Sequence, residues 1–209
     1  MGQQPGIKAD TAISALHRLA TRELLRLLDG FYGNIEDGLF ELAYRTGEEG
    51  QRRRCFDLMR DLRFRRAGLV KGFARAMEDY RGLWLAAREP QDGHADHGHD
   101  LERLVMRMAE KSTAHFSGVL QVIGERAYRI TGRQFSTPND LPISPRRVAA
   151  AFVASCRTLK LDHASIEIVQ ELFSRFVLDG LGTVYGECNH YLRAQGYPCA
   201  SELELASAG

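Results

Sequence analysis

Between Gln51 and Ala87 the residues Cys55, Met59, Leu62, Leu69, Phe73, Met77, Tyr80 and Trp84 fall in one narrow sector of a helical projection, about 80° wide. So tight a stripe commits the segment to a helix lying along other helices, because a strand would send successive side chains to opposite faces. At 1.5 Å per residue this helix would span about 55 Å, enough to bend or to project into a partner. The same period governs the rest of the chain, and alternating β-type patterning is almost absent. The expectation is an all-α fold: an elongated helical bundle of about six helices with one long central helix.

Punctuation divides the bundle. Residues 1–9 read as a flexible N-terminus, and Asp10 can cap a first helix with Ile13, Leu16, Ala20, Leu24, Leu27 and Phe31 inward. Gly30 and Gly33 mark its end, and Asn34 starts a short helix that stops at "RTGEEG". After the long helix come a loop near 88–99 and a helix that Asp100 could cap, lined by Leu101, Val105, Met108, Val119, Ile123 and Ile130. A second loop falls near 133–143. Ser144 before Pro145 is a strong start signal, for a helix with Val148, Phe152, Cys156 and Leu159 inward. Asp162 then caps a last long helix whose stripe includes Gly180, a point for close approach or bending. One domain over residues 10–197 is expected, with 198–209 as a frayed tail.

Composition narrows the function classes. In 209 residues, 44% hydrophobic content supplies a core, and a net charge of +1 gives no global attraction to nucleic acid or anionic membrane. Cys55, Cys156, Cys188 and Cys199 lack C-x-x-C spacing, which suits a reducing cytoplasm. No secretion signal is evident, and no apolar run approaches the ~18 residues of a membrane span.

Few stretches suggest chemistry. In "QDGHADHGHD", His94, His97 and His99 are the candidate metal ligands, but Gly93, Gly98 and Pro90 favour a solvated linker. Cys188 and His190 point apart on a helix, and "GLGTVYG" lies within a helical pattern where it cannot cradle phosphate. No catalytic motif is present, so no catalytic residue and no cofactor is assigned. The long helix carries a crowd of arginines, with Arg60, Arg63 and Arg65 as candidate contacts. They read as a solvated face or as a surface for an acidic protein; with no aromatic platform beside them, nucleic acid is disfavoured. Arg66 lies inside the apolar sector, so Asp37 or Glu41 is expected to neutralise it. Ser112 and Arg126 interrupt the following stripe in the same way, as buried structural pairs or as the wall of a small pocket.

Three stretches carry a family resemblance: "EDGLFELAYRTGEEGQRRRCFDLMRDLRFRRAGLVKGFARAM", "NDLPISPRRVAAAFVASCRTLKLD" and "IVQELFSRFVLDGLGTVYGECNHYLRAQGY". Their words Asp37 to Leu42, Met59 to Arg65, Asn139 to Pro145 and Leu172 to Val177 resemble the N-terminal part of the bacterial domain-of-unknown-function family 1631, over roughly residues 34–197. The third word departs by extra residues between Asn139 and Pro145. The resemblance implies membership in longer proteins ending in a region similar to a cyclic-di-GMP-binding PilZ barrel, and this chain carries no β-rich part. Some relatives bear a phosphorylase label, for which no phosphate-cradling motif is seen here. The family brings no catalytic residues with it.

The leading expectation is a non-enzymatic cytoplasmic module that binds a protein partner or self-associates through its helices. It would be either a domain of a larger regulatory protein or a short stand-alone member. The rival is a ligand- or metal-binding sensor, using the histidines or Arg66, Ser112 and Arg126.

Overall fold

Two exposed glycines fail to stop the first helix. In the computed structural model, which describes residues 5–85, 98–159 and 161–207, α1 runs unbroken over Pro5–Arg45, 41 residues. A helical glycine costs about 1 kcal/mol, whereas each large apolar side chain buried contributes about 1.5–3 kcal/mol. Leu24, Leu28, Phe31, Ile35 and Leu39 are buried in one line through the glycines, so burial wins. Asn34 does not begin a new helix; its Nδ2 donates to the Gly30 carbonyl at 2.7 Å. Asp10 lies inside α1 rather than capping it, and residues 5–9 are helical rather than a flexible start.

A tight turn follows, in which the Glu48 amide donates to Thr46 Oγ1 at 3.3 Å. It folds α2 (Glu49–Asp79) antiparallel to α1. At 31 residues α2 is shorter than its stripe suggested. The apolar stripe continues past it on a 3-10 turn, Arg81–Trp84, which carries Leu83 and Trp84 into the core. The longest described helix is therefore α1. α3 (Gly98–Thr131) includes Asp100 in its first turn, so Asp100 is not the cap.

The loop after α3 is pinned. The Thr137 amide donates to Asp140 Oδ2 at 2.8 Å, and Leu141 and Ile143 are buried. The extra residues before Pro145 thus supply core side chains. α4 (Pro145–Cys156) begins as expected, with Ser144 Oγ accepting from the Arg147 amide at 3.3 Å. This short helix is largely enclosed by its neighbours. Its Val148, Ala149, Ala151, Phe152, Val153 and Ser155 are all buried. Small side chains make that enclosure feasible: a Cβ placed on Gly72 of α2 would lie 3.3 Å from the Ser155 Cβ and 3.5 Å from its Cα.

The last helix of the sequence reading is three elements. α5 (His163–Phe173) is capped by Asp162, whose Oδ1 accepts from the Ser165 amide at 2.8 Å. A π-helical turn, Ser174–Leu178, leads past Gly180 into α6 (Leu181–Ala194). The wide turn inserts a residue and resets the apolar face, so that Phe173, Val177, Leu178, Leu181 and Val184 all point inward. Gly180 permits close approach, since a Cβ there would lie 3.2 Å from Leu27 Cδ2. Gly196, with φ +81°, closes α6: the Gly196 amide donates to the Arg193 carbonyl at 2.9 Å and the Tyr197 amide to the Leu192 carbonyl at 3.1 Å. The expected tail then forms α7 (Ala200–Ser207).

The described residues thus make six helices of at least 11 residues and a shorter seventh, with no strand among them. At the centre Phe152 of α4 stacks on Phe173 of α5 with centroids 3.7 Å apart, and Phe31 of α1 meets both edge-on at 5.7 and 5.8 Å.

Candidate functional site

The face of α2 turned away from the core is built by simple geometry. With Cys55, Leu58, Leu62, Leu69, Phe73 and Met77 buried on one side, residues Arg53, Phe56, Arg60, Phe64, Ala67 and Lys71 share the opposite sector, about 80° wide. All six are exposed, Phe64 to 91%. The buried line breaks between Leu62 and Leu69, where Arg63 through Gly68 are all exposed. At this level α2 is open to solvent around most of its girth.

The end of α1 extends the apolar part of this face. Phe40 and Tyr44 contact each other at 4.5 Å between centroids, and Phe40 meets Phe56 of α2 edge-on at 6.5 Å. Phe40 and Tyr44 are 50% and 70% exposed, so the rings form a surface cluster rather than a rim of the core. Sequence reading missed this cluster. Its signal was the placement of Phe56 and Phe64 opposite the apolar stripe.

Ion pairs organise the arginines around the rings. Arg60 reaches Asp57 at 3.1 Å and Asp61 at 3.9 Å. Arg63 turns toward α1 and grips Glu36 with two nitrogens, Nε donating at 2.7 Å; that bonding holds the Glu36 carboxyl below the usual carboxylate range. Arg65 is exposed. Of the three candidate contacts, Arg60 lies in the outward sector between the phenylalanines, and Arg63 is spent on the hairpin.

Arg66 is not buried, and neither Asp37 nor Glu41 is its partner. It pairs with Asp29 on α1, its guanidinium 5.8 Å from the Tyr32 ring centroid and its side chain 45% exposed. A long side chain can lie along an apolar surface and keep its head in water, so a position on the apolar sector did not require burial. Ser112 and Arg126 are buried. Arg126 donates to the Tyr197 carbonyl, which the Gly196 turn presents, and its Nη2 meets Glu202 Oε1 of α7 at 2.9 Å. The bonding from Arg126 depresses the Glu202 carboxyl below its ordinary value.

A buried histidine was also missed. His17 of α1 accepts from the Trp84 indole N–H at Nδ1, 3.1 Å, and donates from Nε2 to the Met77 carbonyl at the end of α2, 2.9 Å. Burial pushes its pKa down, so it is held as the neutral tautomer protonated at Nε2. Its place among Ile13, Leu16 and Ala20 was the available signal.

His94 and His97 lie outside the described residues, and His99 falls in the first turn of α3. Among the described residues no group of His, Cys, Asp and Glu is arranged to hold a metal. Cys188 is buried and His190 exposed, on different faces of α6. Burial raises the Cys156 and Cys188 thiols to about 12, far from the thiolate form that nucleophilic chemistry needs.

The whole bundle, from α1 through α6, matches the family described as "Protein of unknown function (DUF1631) N-terminal domain" over residues 8–196. The chain belongs to the DUF1631 family. This DUF1631 chain matches no curated protein and no solved structure. None of the described helices is long and apolar enough to cross a membrane.

Proposed function

We propose that this DUF1631 domain is a non-enzymatic protein-interaction module of the cytoplasm, and that its working surface is the α1–α2 hairpin face. The observation that carries the reading is the aromatic cluster of Phe40, Tyr44 and Phe56, extended along α2 by Phe64. Exposed single apolar residues need no explanation, but several large rings gathered on one surface mark an interaction site. Exposed aromatic and arginine side chains together are the usual energetic anchors of protein interfaces. Four free cysteines suit a reducing compartment.

The test is sedimentation and nuclease-treated pull-down from host lysate, comparing the wild-type chain with a Phe56→Ser, Phe64→Ser double variant. Both substituted side chains are substantially exposed, so the thermal melt is expected to be unchanged. A stoichiometric protein partner, or self-association, that disappears in the variant supports the module. Identical behaviour of the two proteins in both assays would sink it.

A further inference from the structure

The local charge of α2 departs sharply from that of the chain. Against a net +1 overall, the stretch from Leu62 to Met77 carries Arg63, Arg65, Arg66, Lys71 and Arg75 and no Asp or Glu. Glu36 and Asp29 of α1 pair with Arg63 and Arg66. Lys71 and Arg75 remain exposed on the outward side of the helix, where Phe64 stands 91% exposed. Phe56 and Phe64 are eight residues apart in sequence and share one sector, so they stand about 12 Å apart along the axis. Arg60 lies between them, and Ala67 leaves a shallow position beyond Phe64.

We infer that the partner of this face is an acidic amphipathic helix of another protein, laid along α2. This deepens the interaction-module reading and rests on it. Such a helix would meet Phe56 and Phe64 with two large apolar residues seven or eight positions apart, and would bring carboxylates to Arg53, Lys71 and Arg75. Complementary charge of this kind fixes partner choice and speeds encounter. A second copy of the same face is disfavoured, because the carboxylates it would offer, Asp57, Asp61 and Glu78, are already paired with Arg60 and Arg81. A polyanionic backbone fits less well. Asp57 and Asp61, held by Arg60, stand beside the phenylalanines and would oppose a continuous line of phosphates, whereas a peptide can place its carboxylates around them. The exposed carboxylates of Asp57 and Asp61 beside the rings would likewise oppose an anionic lipid surface.

The experiment selects random displayed peptides of about 16 residues, some four turns of helix, on the full chain, and measures the enriched peptides by fluorescence anisotropy. The wild type is compared with Phe64→Ser, Phe64→Leu and a Lys71→Glu, Arg75→Glu variant, each checked by circular dichroism. The expected peptides carry net negative charge and paired large apolar residues at the stated spacing. Their affinity falls at least ~10-fold with Phe64→Ser and with the charge reversal, is largely kept by Phe64→Leu, and weakens with added salt. Failure to enrich any peptide overturns the inference. So does enrichment of peptides without acidic character, or of peptides that Phe64→Ser leaves unaffected, although in that last case the interaction-module reading stands. Phosphatidylserine vesicles and single-stranded RNA serve as parallel probes. Binding of either one that is lost in the charge-reversal variant reassigns the face to a phosphate-bearing partner.

Discussion

The indole N–H of Trp84 points at Nδ1 of His17 across 3.1 Å, inside a core where both side chains are wholly buried. The other ring nitrogen meets the Met77 carbonyl at 2.9 Å, so one imidazole joins α1 to the end of α2 and to the turn beyond it. An acid-sensitive clasp results. Protonating Nδ1 would set two N–H donors against each other in a dry site. Burial is the largest influence on the ring; with Arg81 it outweighs the Met77 bond and Glu78, which favour the protonated form, and leaves the folded-state pKa lowered.

The sign of the pH dependence follows. The unfolded chain takes up this proton near the ordinary value of about 6.5, while the folded chain resists until lower pH. Stability linked to His17 is complete above about pH 6.5 and is lost as pH falls from there toward the depressed folded pKa. Urea titrations between about pH 7.5 and 5, above the usual carboxylate range, should show it. His17→Gln should cost about 1–2 kcal/mol at pH 7.5 and flatten that slope. An equal slope in the variant would show that His17 is not the group responsible.

Arg126 secures the C-terminal helix. It is buried on α3 and reaches the Tyr197 carbonyl and Glu202. Arg126→Ala should lower stability by about 2 kcal/mol, by removing packing and leaving polar partners unmatched, and amide exchange should rise in Ala200–Ser207. Glu202→Gln should release α7 less, since the amide oxygen still accepts. Unchanged exchange at α7 in Arg126→Ala would refute the attachment.

The α2–α4 contact depends on an absent side chain. A Cβ on Gly72 would lie 3.3 Å from the Ser155 Cβ, a tight contact, with the Ser155 Cα behind it at 3.5 Å, and neither atom can rotate aside as a side-chain tip can. Gly72→Val should therefore destabilise by about 1–3 kcal/mol through overpacking, despite the better intrinsic helix propensity of valine. A denaturation midpoint equal to or above that of the wild type would show that α4 shifts freely.

The outward face was only partly legible. Arginine crowding on α2 is visible in the sequence, and Arg60 lies on the outward sector of that helix. The aromatic cluster was not visible, because Phe40 and Phe56 belong to different helices and meet only after the hairpin closes. Arg66 shows the converse: its position matched the apolar stripe, yet α2 buries nothing between Leu62 and Leu69 at that level, and its head reaches Asp29 in water.

The sequence by itself determined the all-α class, the starts of α4 and α5 at Ser144 and Asp162, and the inward faces of most helices. These follow from local rules, namely the period of apolar residues and the hydrogen bonds of neighbouring caps. Only the tertiary structure decided that α1 runs through Gly30 and Gly33, that the last helix widens into a π turn before Gly180, and that short α4 is largely enclosed. It alone also brought His17 to Trp84 and Arg126 to Glu202. Each of those outcomes sets a local cost against burial or pairing with residues distant in the chain, and that balance exists only once the helices have packed.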